Sequence, residues 1–383
     1  MIEKMKIGLK VYSNDWYLKY NLSYTQAADL LSEWGVNFII AQSKVLPMPD
    51  TAVISEVPPE LMDRYHAYDD VKFREALSKN DIEYWATTLF FMDRVALESN
   101  PSYKAYGDDG KPMQQIDWYE GIPPTMQKHV DYKCGLYEDA VRILQPDGIH
   151  FGFMRWPQFW ELWMPEHKRS DFIEYSFDKV SLKRFMQDRN LKVPDLDAYK
   201  AAEWIKQNAY DKWVDWKCDV VCAVIKQVKD ACSKIKPDIK TALNTVPFGK
   251  NDYENTEEEV FGQSFEKLSD VIDLFEVMTY HQILKRPVDW IAEIGREVKL
   301  RSERTTVCTL QGEPLYLDGM HASYGRKQTI DIKEFESAVA TVVNEKTIDG
   351  LVLFTWADLL KQVYVNQDNR KVDILKAAAR GRG

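Results

Sequence analysis

The chain has 383 residues, of which 45% are hydrophobic and 13% aromatic, with a formal net charge of −10. That is apolar enough for a full core, and the acidic balance argues against nucleic acid, whose binding needs clustered Lys and Arg. No apolar run approaches the roughly 18 residues of a membrane span, and the 5 cysteines show neither a CxxC pair nor ligand spacing with histidine, so reduced thiols and no metal or organic cofactor are expected.

Residues 1–12, MIEKMKIGLKVY, enter a strand with no preceding apolar segment, which predicts a cytoplasmic protein. The first strand spans 6–13 and runs into Asn14-Asp15-Trp16. Ser23 is placed to cap a helix that reaches Trp34, with Gly35 as its stop. A second strand, 36–41, is nearly all apolar and therefore buried on both faces. A proline-rich loop leads to a helix over 69–79 and a third strand over 82–89. Residues 93–128 are rich in Pro, Gly, Tyr and Asp and show no period, a poor recipe for a core and a good one for a functional cover. A helix over 130–144 precedes the fourth strand, 147–153.

The stretch 148–165, GIHFGFMRWPQFWELWMP, leaves that strand and carries Arg155, Trp156, Trp160, Glu161 and Trp163. Helices follow over 182–190 and 197–235, the second read as one long helix. Strand five covers 239–246 and strand six 271–280, with a short helix at 265–268 between them. A helix over 288–298, strand seven over 305–310, a helix over 332–344, strand eight over 350–356 and a closing helix over 372–379 complete the chain. Eight strand-then-helix units imply a parallel sheet. Closing it as one (β/α)8 TIM barrel over 1–383, with loop insertions at 93–128 and 154–196, is the economical solution.

In such a barrel, chemistry hangs from the C-terminal strand ends. Those positions supply Asn244 from strand five, and Glu276, Met278, Tyr280 and His281 from strand six. Strand seven supplies Gln311 and Glu313, and strand eight Trp356 and Asp358. A glutamate inside an apolar strand must be paired or functional, because burying a lone charge costs several kcal/mol. Glu276 has that position, with a structural salt bridge as the alternative; Glu313 and Asp358 have solvation or a helix cap as theirs. Lys10 is an inward lysine with nothing in the sequence around it to suggest a Schiff base. His66, His129, His167 and His321 read as surface residues. Carboxylates among flat aromatic rings suit glycosidic cleavage, in which one acid protonates the leaving oxygen and another group acts as nucleophile or base.

Three stretches carry a family resemblance. Residues 147–157, DGIHFGFMRWP, resemble the fourth-strand DGIHxDxxRxP pattern of glycoside-hydrolase-like TIM barrels. Residues 277–281, VMTYH, are similar to the sixth-strand Met-x-Tyr stretch of those barrels and, more distantly, of chitinase-type barrels. Residues 350–356, GLVLFTW, resemble their eighth strand, whose tryptophan floors a sugar subsite. The resemblance implies a carbohydrate-active barrel with Arg155, Met278, Tyr280 and Trp356 in the sugar-site wall. Gly152 replaces the pattern's aspartate and Met154 stands where a DxDxE acid would, so strand four transfers no catalytic role.

The resulting expectation is a glycoside hydrolase with Glu276, Glu313 and Asp358 as carboxylates. Its substrate wall would comprise Arg155, Trp156, Trp160, Glu161, Asn244, Met278, Tyr280, His281, Gln311 and Trp356. The alternatives are a uronate lyase, with Tyr280 or His281 abstracting a proton beside a uronate held by Arg155, and a sugar-binding barrel without turnover. The expected partner is a carbohydrate.

Overall fold

The structure is a computed structural model that describes residues 5–49, 58–314 and 325–381; His321 lies outside them. Eight parallel strands form a closed barrel in chain order. They are β1 (Lys6–Val11), β2 (Phe38–Ala41), β3 (Glu83–Leu89), β4 (Gly148–Gly152), β5 (Lys240–Thr245), β6 (Leu274–Val277), β7 (Thr305–Gln311) and β8 (Gly350–Phe354). Closure comes from β8 against β1, with Lys6 opposite Gly350 and Leu9 opposite Leu353. The expected (β/α)8 barrel is the fold observed.

Each strand buries both faces, which is why the strands read as apolar runs. The outward residues Ile7, Leu9, Ile39, Tyr84, Ile149, Phe151, Leu243, Phe275, Leu310 and Leu351 join the main core beneath the helices. The inward residues Phe38, Ile40, Trp85, Ala242, Leu274, Val307 and Val352 form a separate apolar plug. Two large rings fit there because β1 and β4 place glycine beside them. A Cβ on Gly8 would lie 2.3 Å from the Phe38 ring, and one on Gly148 would lie 2.3 Å from Trp85. The plug closes one end of the barrel, so polar inward residues gather above it.

The helices follow their local signals. Ser23 and Gln26 form a reciprocal capping box at Tyr24–Glu33, and Asp69 caps Asp70–Ser78. The single helix expected over 197–235 is two, Ala198–Asn208 and Tyr210–Ser233, parted at Ala209 with φ −153° and ψ 24°. β6 ends at Val277, earlier than expected. Beyond it the N–H groups of Thr279, Tyr280 and His281 each turn back to the carbonyl two residues earlier, so the chain coils away from the sheet.

Residues 93–128 do form a small core of their own, against expectation. Ala105, Met113 and Tyr119 pack with Met92 and Phe159 in a cluster outside the main core. Trp118 and Tyr119 lie 5.9 and 5.8 Å from Phe153, just past β4, which holds the segment over the β3–β4 strand ends. Among the described residues, no helix is long and apolar enough to cross a membrane.

Candidate active site

Above the apolar plug, inward positions of five strands meet in one ionic network. Glu276 of β6 is 0% exposed. One of its carboxylate oxygens is 2.8 Å from the Lys10 ammonium of β1 and also accepts from the Thr309 hydroxyl of β7. The other lies 2.7 Å from His150 Nε2 of β4. On the far side of the ring, His150 Nδ1 is 2.7 Å from Thr87 Oγ1 of β3. An ionised carboxylate only accepts, so Nε2 carries the imidazole proton and Nδ1 accepts from Thr87. Burial by itself would raise the Glu276 pKa; Lys10 and His150 overcome it and pull the group down to about 2. His150 moves below its ordinary value because burial outweighs its bond to Glu276. Near neutral pH the network is therefore a lysine–glutamate ion pair braced by a neutral histidine.

Rings and amides stand over it. The Lys10 ammonium lies 5.5 Å from the Tyr12 ring and 5.7 Å from the Phe354 ring. Tyr280 meets Phe354 edge-on at 5.6 Å and stacks on Trp160 at 6.1 Å. Its hydroxyl is pushed well above the usual tyrosine range, by burial first, and it feels the charges of Lys10, Glu276 and Glu161 together. Asn244 and Gln311, two and four residues beyond the plug residues Ala242 and Val307, share their inward face. Both are buried, yet among the described residues Asn244 Nδ2 and both polar atoms of the Gln311 amide meet no hydrogen-bond partner. Buried amides are normally satisfied, so these atoms remain open to a polar partner.

Of the three expected carboxylates, the structure brings only Glu276 into the barrel. Glu313 turns to the helix Arg370–Arg380, pairing with Lys371 at 2.6 Å and accepting from Gln362 at 2.7 Å. Asp358 is the third residue of the helix Trp356–Tyr364, and accepts from Thr355 N–H at 2.9 Å and Thr355 Oγ1 at 2.8 Å in a capping box. Trp356 lies outside the barrel, 5.8 Å from Trp16 and stacked 6.4 Å from Phe73. Trp156 packs on Trp216 and donates to the Lys217 carbonyl at 3.2 Å. These four are corrections with one physical cause. Once the chain leaves a strand, the alternation that sets inward and outward faces no longer applies.

Arg155, Trp160, Glu161, Asn244, Met278, Tyr280 and Gln311 are all buried at or just beyond the C-terminal strand ends. Arg155 is 1% exposed, with its guanidinium 4.5 Å from the Phe153 ring and 5.9 Å from Tyr119 and from Phe261. None of its three nitrogens has a hydrogen-bond partner among the described residues. His281 turns away from the network and pairs with Glu334 at 3.0 Å. Sequence reasoning missed Lys10, His150, Thr87 and Thr309. The signal for Lys10 was available, since an inward lysine in one strand and an inward glutamate in another need each other.

No family model matches the chain, and no curated protein matches it. Solved structures do. The structural neighbours are glycoside hydrolase TIM barrels. The PgaB (BpsB) glycoside hydrolase domain from Bordetella bronchiseptica aligns with a TM-score of 0.62 at 14% identity, covering 96% of this chain and 98% of that one. The catalytic domain of β-amylase from Paenibacillus polymyxa aligns at 0.55 and 10% identity, covering 94% of each chain. A cold-adapted β-galactosidase from Rahnella sp. R3 aligns at 0.60 and 11%, covering 100% of this chain and 57% of its own. The chain thus spans little more than half of that β-galactosidase. At these identities the likeness establishes the fold.

Two expectations arise directly from the geometry. Asp358→Ala should cost about 1 kcal/mol in urea unfolding, as loss of a helix cap does, and leave any turnover unchanged. A loss of turnover with unchanged stability would return Asp358 to the list of catalytic groups. The second concerns pH. His150 has a lowered pKa when folded, so the unfolded chain takes up its proton first and stability falls as pH drops below about 6.5. Glu276, held at about 2, contributes stability that is present above the ordinary glutamate pKa and lost as pH falls toward 2. Asp70 and Asp178, both pushed up to about 6 by burial, act in the opposite sense. The clean comparison is therefore wild type against His150→Gln. The difference in their urea midpoints should shrink between pH 7 and pH 5; a constant difference would show that His150 is not held neutral.

Proposed function

We propose that the protein is a glycoside hydrolase acting on an oligo- or polysaccharide at the C-terminal mouth of the barrel. The observation that carries this reading is the unpartnered polar atoms of the buried amides Asn244 and Gln311, on the barrel face that also holds Glu276, together with the stacked rings of Trp160 and Tyr280. Sugar hydroxyls satisfy amides, and sugar C–H faces pack on such rings. Glu276 supplies the ionised carboxylate, which its three donors keep charged in the state a nucleophile or a stabiliser of positive charge requires. Tyr280 feels the charges of both Glu276 and Glu161. Glu161, buried in the β4 loop, takes the part of proton donor.

One observation favours a second reading, sugar binding without turnover. The ends of β4 and β7 carry Gly152 and Gln311, neither of which is an acid, and Glu276 is closed off from solvent. A panel of aryl glycosides and polysaccharides, assayed for reducing ends and for binding by tryptophan fluorescence, separates the two. Under the hydrolase reading Glu161→Gln should lower turnover on unactivated substrates about 10²–10⁴-fold, with partial recovery on substrates that have activated leaving groups. Gln311→Ala should weaken binding by about 1 kcal/mol under either reading. Binding without turnover across the panel selects the second reading, and no binding at all removes both.

A further inference from the structure

In the sector between β6 and β7, the loop 282–288 and the segment 325–337 line a cavity of about 630 Å³. His281, Gln282, Arg286, Lys327, Lys333 and Glu334 contribute to its wall, and none of them belongs to the ionic network around Glu276. The cavity is unusual in what its polar atoms leave undone.

His281 is 3% exposed, and its Nε2 lies 3.0 Å from Glu334 Oε1. The carboxylate can only accept, so Nε2 bears the proton and Nδ1 presents a lone pair that meets no partner among the described residues. Burial keeps the ring below its ordinary pKa despite Glu334, consistent with this neutral form. Gln282 gives its N–H groups to the Thr329 carbonyl and to Glu334, both at 2.9 Å, and its carbonyl oxygen has no partner among the described residues. Arg286 binds Asp252 through Nη2 at 3.1 Å, while its buried Nε–H is unmatched among those residues. The Lys333 ammonium makes no ion pair among the described residues, and Lys327 shares Glu334 at 3.2 Å.

Two acceptors and the cationic side chains of Lys285, Arg286, Lys327 and Lys333 thus belong to the wall of one space, together with the Asp331 and Glu334 carboxylates. A plain anion would satisfy the cations and leave Nδ1 and the Gln282 oxygen empty. A neutral sugar would do the reverse. A ligand that meets both has hydroxyl groups and a negative charge on the same small frame. We propose that this cavity is a second binding site, separate from the barrel mouth, for a hydroxylated anion: a sugar bearing a carboxylate or a phosphate. The site stands on its own residues and does not depend on turnover at the mouth.

Calorimetric titration of the full chain with glucuronate, glucose 6-phosphate, glucose and inorganic phosphate tests it, and the first two arms distinguish carboxylate from phosphate as the source of charge. At least one hydroxylated anion should bind about tenfold or more tightly than both glucose and inorganic phosphate. Lys333→Glu, an exposed change that should not disturb folding, should weaken that binding about tenfold, and His281→Gln should weaken it as well. The His281 imidazole resonances should shift on saturation. Gln311→Ala, in the barrel mouth, should leave this binding unchanged. The proposal is overturned if neither sugar anion binds below about 10 mM, or if inorganic phosphate binds as well as glucose 6-phosphate. It is equally overturned if binding survives Lys333→Glu, or if Gln311→Ala abolishes it.

Discussion

Replacing Glu276 with Gln should destabilise the barrel by about 3–5 kcal/mol, because it leaves the Lys10 charge buried with no counter-charge. Lys10 is 2% exposed, and the Tyr12 and Phe354 rings near it offer cation–π attraction, which cannot replace a carboxylate. The loss is not a measure of what the pair contributes to folding. A double variant, Lys10→Met with Glu276→Gln, removes both charges and keeps one amide oxygen as an acceptor, so it should recover most of the stability. Urea unfolding of the two singles and the double gives the coupling energy directly. A coupling close to zero would mean that Lys10 and Glu276 are solvated and independent. The same double variant matters for function: a stable barrel lacking the ionised carboxylate should bind carbohydrate and fail to cleave it, if cleavage is the activity.

Lys217→Met should be nearly as damaging, at about 3 kcal/mol, for the same reason in a different place. Lys217, on the helix Tyr210–Ser233, pairs with Glu174 in the loop after β4, and both side chains are fully buried. Glu174 also accepts from Arg169 at 3.0 Å, Ser176 at 3.0 Å and Trp213 at 3.3 Å. Burial alone would raise its pKa, but Lys217 and Arg169 hold it below the ordinary carboxylate range. Through this cluster the loop carrying Trp160 and Glu161 is tied to a long helix. Losing Lys217 should therefore loosen the loop before the barrel itself unfolds. Amide exchange across 160–178 should accelerate while exchange in the strands is little changed. Uniform acceleration everywhere would count against a local tie. Glu174→Met added to Lys217→Met should restore much of the stability.

The alternation of apolar strands with amphipathic helices was legible in the sequence because both periods are local, two residues for a strand and about 3.6 for a helix. Eight such units determined the barrel. Ser23 announced a helix start by its own side chain, and position at or near a strand end put Glu276, Asn244 and Gln311 among the candidates. Which inward residues meet across the axis was not legible. Strand register and tilt decide that, and they bring Lys10, His150 and Thr309 onto Glu276, with Thr87 behind His150, from four other strands. Positions just past a strand end were the least legible of all. Asp358, Trp356 and His281 follow their strands closely, yet the first caps a helix, the second fills the outer core, and the third faces a different cavity. Inside a strand, the pleat dictates where a side chain points; past its end, only the packing of the whole chain does.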